Sequence, residues 1–251
     1  MNRKFYARGF LVSLAVAVGV GAQQPARGRA PMDAPKLTAE EILEKGIAAT
    51  GGREARQRIT SIMSKGTLEI VPQGLQGTIE IYAKAPNKLL IIQTIPGLEI
   101  KQGFDGEVGW VYNSLQGFRR LEAEELETFK RRATLHSEIH WRRLYEKVEL
   151  IGQEKVGDRT AYVIRLTPGV GNPVTQYYDS ETFLLLRTDT TQDGPLGPIT
   201  QEAYPSDYRE MDGVLVPFTL TTKAPTAVVV VRITERKTNV EIDDSRFAPP
   251  K

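Results

Sequence analysis

The chain has 251 residues, 40% of them hydrophobic and 25% charged, and its mean hydropathy of -0.31 excludes global disorder and a polytopic membrane protein. There is no cysteine, so disulfides, thiol nucleophiles, Cys-ligated zinc, iron–sulfur clusters and a lipid-modified N-terminal cysteine are excluded together. The formal charge of +2 includes Arg3, Lys4 and Arg8, and removing a leader over residues 1–22 would leave a net charge of -1, too little for bulk attraction to nucleic acid.

Those three bases, the apolar run from Phe10 to Val20 and the small residues Val20 and Ala22 have the form of a secretory signal cleaved after Ala22. The run is too short for a bilayer span, so an exported protein with no stable membrane span is expected. Residues 23–36, with three prolines and no apolar period, read as a flexible spacer, and residues 37–251 as one domain.

Thr38 and Glu41 form a capping box that starts a helix over 39–49, and Gly51-Gly52 ends it. A second short helix is expected at 54–59. From Ser64 the pattern turns to strands near 64–71, 77–85, 88–95, 98–104, 107–113 and 117–121, with turn formers between them. Asp105-Gly106 has the composition of a two-residue type I′ hairpin. Two helices are then expected, at 122–133 and about 136–147, the first with Leu126, Phe129 and Ala133 on one face. Strands resume at 148–156, 160–167, 173–179, 183–191, 199–209, 214–223 and 226–240. The pattern predicts a mainly β (α+β) fold of roughly 11–13 strands. With no alternation of strand and helix and no fixed repeat, a parallel α/β fold is disfavoured.

Catalytic signals are sparse. His136 and His140, the only histidines, stand at i and i+4 on the predicted second helix, a spacing a metal could bridge, but the zincin order is absent and no third ligand is identifiable. There is no G-x-S-x-G elbow and no phosphate loop, and Gly194-Pro195-Leu196-Gly197 reads as a turn. No carboxylate pair is singled out, so neither an enzyme activity nor a cofactor or metal is expected. The acids at 122–127 followed by Lys130, Arg131 and Arg132 suit the dipole of a helix. Arg142, Arg143 and Lys147 extend the basic side, and an anionic headgroup or partner surface there is the less favoured reading.

Period two places Val108, Trp110 and Tyr112 on one strand face, as it does Ile79, Ile81 and Ala83, and Val216, Phe218 and Leu220. An ordinary core is the plainer reading of these faces. A large curved sheet is hard for two or three short helices to fill, which predicts an apolar pocket against the helices at 39–49 and 122–133. Its expected lining is Trp110, Tyr112, Phe129, Phe218, Leu126 and Ile81.

Several segments also recur in a fixed order: Ile42-Leu43-Glu44-Lys45 leading to Ala49-Thr50-Gly51-Gly52, then Ser64-Lys65-Gly66-Thr67, Ala85-Pro86-Asn87-Lys88 and Phe104-Asp105-Gly106 with Gly109-Trp110. Asp207-Tyr208-Arg209, Asp212-Gly213-Val214 with Pro217, and Asn239 through Phe247 with Pro249 complete the series. In this order the chain resembles the outer-membrane lipoprotein-sorting-protein-like family, relatives of the LolA and LppX carriers. The resemblance implies a strongly curved, open antiparallel half-barrel closed by helices, whose apolar cavity carries acyl chains across the periplasm, and it supplies no catalytic residue. The expected partners are a lipid or lipoprotein acyl chain and an envelope protein as donor or acceptor. The alternative is a non-catalytic envelope scaffold with a filled core.

Overall fold

The computed structural model describes residues 37–194 and 197–250; the leader, the spacer and the Pro195-Leu196 part of the expected turn lie outside the described residues. Helix α1 (Ala39–Ala49) begins at the expected capping box, with both the Thr38 and Glu41 bonds made, and α2 (Gly52–Gln57) follows. Six strands come next: β1 (Ser61–Val71), β2 (Leu75–Lys84), β3 (Lys88–Ile95), β4 (Leu98–Phe104), β5 (Gly109–Asn113) and β6 (Gly117–Arg120). After α3 (Ala123–Ala133), a 3₁₀ turn (Ser137–His140) and the single turn α4 (Trp141–Leu144), seven more strands complete the sheet. These are β7 (Lys147–Val156), β8 (Arg159–Thr167), β9 (Val174–Asp179), β10 (Leu185–Gly194), β11 (Gly197–Met211), β12 (Val214–Ala224) and β13 (Ala227–Thr238).

The thirteen strands of the described residues form one antiparallel sheet, a count within the expected range. Its order is β6-β5-β4-β3-β2-β1-β13-β12-β11-β10-β9-β8-β7, so two meanders meet at the β1–β13 pair and two edges stay open. The chain therefore leaves one edge at β6 and re-enters at the other edge through β7, and the helical interlude spans the gap. Helix α3 packs on β4 and β5. From the same helix Arg131 Nη1 donates to the carbonyl of Val170, between β8 and β9, at 2.7 Å. In a flat sheet β5 and β9 would stand about 43 Å apart at ~4.8 Å per strand, whereas eleven helical residues rise only about 17 Å. The sheet must curl to bring both under one helix.

Two local expectations are corrected. The hairpin at Asp105-Gly106 is a four-residue loop: Phe104 pairs with Gly109, and the Asp105 carboxylate accepts from the amides of Glu107 (2.9 Å) and Val108 (2.7 Å). That side-chain bonding to the backbone two and three residues on favours the wider turn. The second predicted helix, 136–147, is broken. His136 adopts φ 54°, in the left-handed region that ends a right-handed helix, and only the 3₁₀ turn and α4 follow before β7 begins.

The helices cover one sheet face in two apolar clusters. Under α2 and α3 lie Ile79, Ala83, Leu89, Ile91, Phe104, Val111, Val214, Val216 and Phe218 with Ala55, Phe129 and Ala133. Under α1 and Trp141 lie Ile164, Leu166 and Tyr178 with Ile42, Leu43 and Ile47. Arg53 ties these helices together, holding Glu44 at 2.6 Å and the carbonyl of Ile139 at 2.5 Å, while Arg142 and Trp141 share the same Glu44 carboxylate. Burial would raise the Glu44 pKa, but the bonds from Arg53, Arg142 and Trp141 outweigh it and hold it below its ordinary value. Among the described residues no helix is long and apolar enough to cross a membrane.

Candidate functional site

The structure separates the expected pocket residues onto two faces of the sheet. Phe129 and Leu126 of α3 join Phe218 and Ile81 of the sheet in one apolar cluster, Phe129 and Phe218 buried and the other two half-buried. Trp110 and Tyr112 are not with them. Their neighbour Val111 joins the helix-covered core, so alternation sends both to the opposite face, where Trp110 packs with Tyr82, Leu90, Ile242 and Phe247. The chain after β13 covers that face, fastened by Lys84 and Lys88 on Asp244 at 2.8 and 2.7 Å. Clefts of about 500 and 390 Å³ flank this covering segment, the first beside Tyr82 and Arg246, the second beside Trp110 and Lys101.

On the helix-covered face the β1–β13 register builds a graded floor. Paired residues share a face, so Ser64 with Arg236, Gly66 with Ile233, Leu68 with Val231 and Ile70 with Val229 follow one another along the ladder. Leu220 lies opposite Val231 on the next strand. Leu68 is buried, but Ile70, Val229, Val231 and Ile233 keep solvent contact, and Leu220 is 39% exposed. Open apolar side chains on a face otherwise roofed by helices form an accessible apolar floor.

At the other end of the ladder the interior becomes polar. Arg56 of α2 is 7% exposed; its Nη1 meets Glu138 Oε1 at 2.5 Å and its Nη2 donates to Thr50 Oγ1 at 2.6 Å. His136 Nε2 donates to the carbonyl of Ile59 at 3.0 Å, and its Nδ1 lies 3.8 Å from the same Glu138 oxygen. Burial alone would raise the Glu138 pKa, yet His136 and Arg56 outweigh it and hold it below its ordinary value. Arg236 Nη1 approaches Ser64 Oγ at 3.4 Å, and burial lowers its pKa, with Glu138 opposing and Arg56 reinforcing that shift. Tyr208, whose hydroxyl donates to the Leu185 carbonyl at 2.9 Å, is pushed up to about 12 by burial against the opposing charge of Arg56. The Nε atoms of Arg56 and Arg236 are buried with no acceptor among the described residues.

Helix α3 carries one exposed cation against the apolar cluster. Arg132, 6.0 Å over the Phe129 ring, is crowded enough by protein that burial lowers its pKa, yet it stays exposed. Glu138 combines the same two properties, with 38% of its side chain accessible.

The two histidines do not share a helix face, because His136 precedes the 3₁₀ turn and His140 closes it. Among the described residues no group of three or more His, Asp or Glu side chains is assembled for a metal ion. Arg56, Glu138 and Arg236 were not marked by any sequence signal. They come from α2, the 3₁₀ turn and β13 and share no local spacing.

An open antiparallel sheet curled around bridging helices, with an accessible apolar floor and a buried polar end, defines a LolA-like half-barrel. No protein-family model and no curated protein matches the chain. Among solved structures it is similar to a DUF1329 family protein from Desulfovibrio piger, at TM-score 0.57 and 14% identity over 84% of this chain and 97% of that one. A LolA superfamily protein from Nitrosomonas europaea aligns at TM-score 0.57 and 16% identity over 84% and 98%. A domain described as an outer membrane lipoprotein-sorting protein, from Vibrio parahaemolyticus, aligns at TM-score 0.54 and 10% identity over 82% and 97%. At these identities the likeness is one of fold, and it agrees with the mainly β, open, helix-covered architecture expected from the sequence.

Proposed function

We propose that this chain is a periplasmic carrier, exported and cleaved after Ala22, that holds an acyl chain of a lipid or lipoprotein in the recess between the helix-covered sheet face and α3. The observation that carries the reading is the open apolar floor of Ile70, Val229, Val231, Ile233 and Leu220, continuous with the buried Phe218 and Phe129. An apolar surface kept accessible inside a roofed sheet costs hydration free energy in the free protein, and an apolar ligand relieves that cost. The named neighbours, one a LolA superfamily protein and one a lipoprotein-sorting domain, support carriage over catalysis. An envelope protein that delivers or receives the cargo fits the same role.

Native mass spectrometry of the exported protein, with lipid extraction and titration by a fluorescent fatty acid, tests this reading. Co-purified lipid and saturable binding are expected. A protein free of lipid that binds no acyl chain would instead be an envelope scaffold, and the carrier reading would be wrong.

A further inference from the structure

We infer that the recess selects an anionic amphiphile, with the carboxylate or phosphate of its headgroup received by Arg56 and Arg236 and its chain lying along the β1–β13 ladder. This rests on the carrier reading and adds the chemistry of the cargo's polar end.

Arg56 and Arg236 act on one another and on the same carboxylate, Glu138. Of the two guanidinium groups only that of Arg56 contacts Glu138, so the charge of the half-buried Arg236 has no contacting carboxylate among the described residues, in a place where burial already disfavours it. Arg56 spends its terminal nitrogens on Glu138 and Thr50, and among the described residues Arg236 has only a long contact to Ser64. Each retains an Nε–H with no acceptor among the described residues, and Arg56 is more than nine-tenths buried. A buried N–H without an acceptor is costly, and the planar fork of a guanidinium matches a carboxylate or phosphate better than any neutral acceptor.

The ladder then supplies the length. Six residues separate Ser64, opposite Arg236, from Ile70 at the open apolar end. At ~3.3–3.4 Å per residue this is roughly 20 Å of apolar floor running away from the charges. A headgroup at Arg236 would place its chain over Ile233, Val231 and Val229 in turn, so polar and apolar contacts are made by one molecule.

The test compares charged and neutral amphiphiles of equal chain length on the mature protein. Palmitate and hexadecanol form the carboxylate arm, lysophosphatidic acid and monopalmitin the phosphate arm, each displacing an uncharged fluorescent acyl probe. Inorganic phosphate alone serves as the tail-free control and is expected to displace nothing. Wild type should prefer the charged member of one or both pairs by about tenfold or more, the worth of one charge-assisted hydrogen bond; the pair that shows it identifies the headgroup. Arg236→Gln should abolish the preference, the affinity for the charged member falling by more than any change in the affinity for the neutral probe. Because Arg56→Gln would strand Glu138 and could unfold the protein, Arg56→Gln combined with Glu138→Gln is the second variant, and it should lose the preference as well. Equal affinity for charged and neutral members in wild type would overturn this inference and leave the carrier reading standing. Binding of neither member would overturn the carrier reading itself.

Discussion

Trp110 donates from its indole Nε1 to the main-chain carbonyl of Phe247 at 2.8 Å, clamping the C-terminal segment to β5. Its cross-strand partner is Gly103, and a Cβ there would collide with the indole ring. Trp110 is 2% exposed and Phe247 fully buried. The two side chains are packed on the face away from α3, although a cleft of about 390 Å³ opens beside Trp110, and that packing fixes what substitution should do. Trp110→Ala should lose about 3–5 kcal/mol of stability, and Trp110→Phe, which keeps most of the volume but strands the carbonyl, about 1 kcal/mol. Denaturant unfolding measures both. Acyl-chain affinity of the still-folded Phe variant should equal that of wild type, and a fall would place Trp110 back in the ligand recess.

Gly106 sits at φ 110° in the loop between β4 and β5, and a Cβ built there meets nothing closer than 3.8 Å, from Asn87 and Lys88. The site has room, so the penalty for Gly106→Val comes from the backbone. Forcing a β-branched residue to positive φ should cost at least about 1 kcal/mol. Asp105→Ala should also destabilise, by a similar amount, because Asp105 bonds the Glu107 and Val108 amides. A thermal melt in which neither variant shifts would contradict the loop geometry.

Much of the fold is legible in local pattern, and the errors have a common cause. Period two correctly places Ile79, Ile81 and Ala83 on one face, and Trp110 and Tyr112 on another, because alternation is a property of each strand alone. Which face meets the helices depends on β5 pairing with β4 and on where the C-terminal segment lies, and neither relation is local. The capping box at Thr38 reads directly because its partners lie three residues apart. The Arg56–Glu138–Arg236 constellation is invisible for the opposite reason, since only the curled tertiary fold brings α2, the 3₁₀ turn and β13 together. The broken helix after His136 reflects competition: its composition suits a helix, but the His136 ring is drawn to the Ile59 carbonyl and the chain turns there.

Asp244 gives a pH prediction for the C-terminal segment. Hydrogen bonds from Lys84 and then Lys88 lower its pKa from 3.8 to about 2. A carboxylate depressed in the folded state takes up its proton first in the unfolded chain, so the stabilisation is fully present above pH 3.8 and is lost as pH falls towards 2. The group is exposed, so added salt should weaken the effect. Urea midpoints measured from pH 5 to pH 2 should fall more steeply for wild type than for Asp244→Asn. Parallel curves would mean that the two lysines do not act on this carboxylate in solution.

Leu220 and Phe218 stand two residues apart on β12, alternating onto the same face, yet Phe218 is 6% exposed and Leu220 39%. The contrast separates a filled core from an open floor within one strand. Phe218→Ala removes a ring packed among the residues under α2 and α3, and it should cost about 3–5 kcal/mol. Leu220→Gln, on the open part of the floor opposite Val231, should change stability by no more than about 0.5 kcal/mol, as surface substitutions do. If an acyl chain covers Leu220 when bound, the same change should weaken fluorescent fatty acid binding by roughly three- to tenfold, a fraction of the free energy of burying a leucine. Both quantities are to be measured on one preparation of Leu220→Gln. A large stability loss with unchanged binding would mean that the floor is closed core, and the acyl chain would then have to lie elsewhere in the molecule.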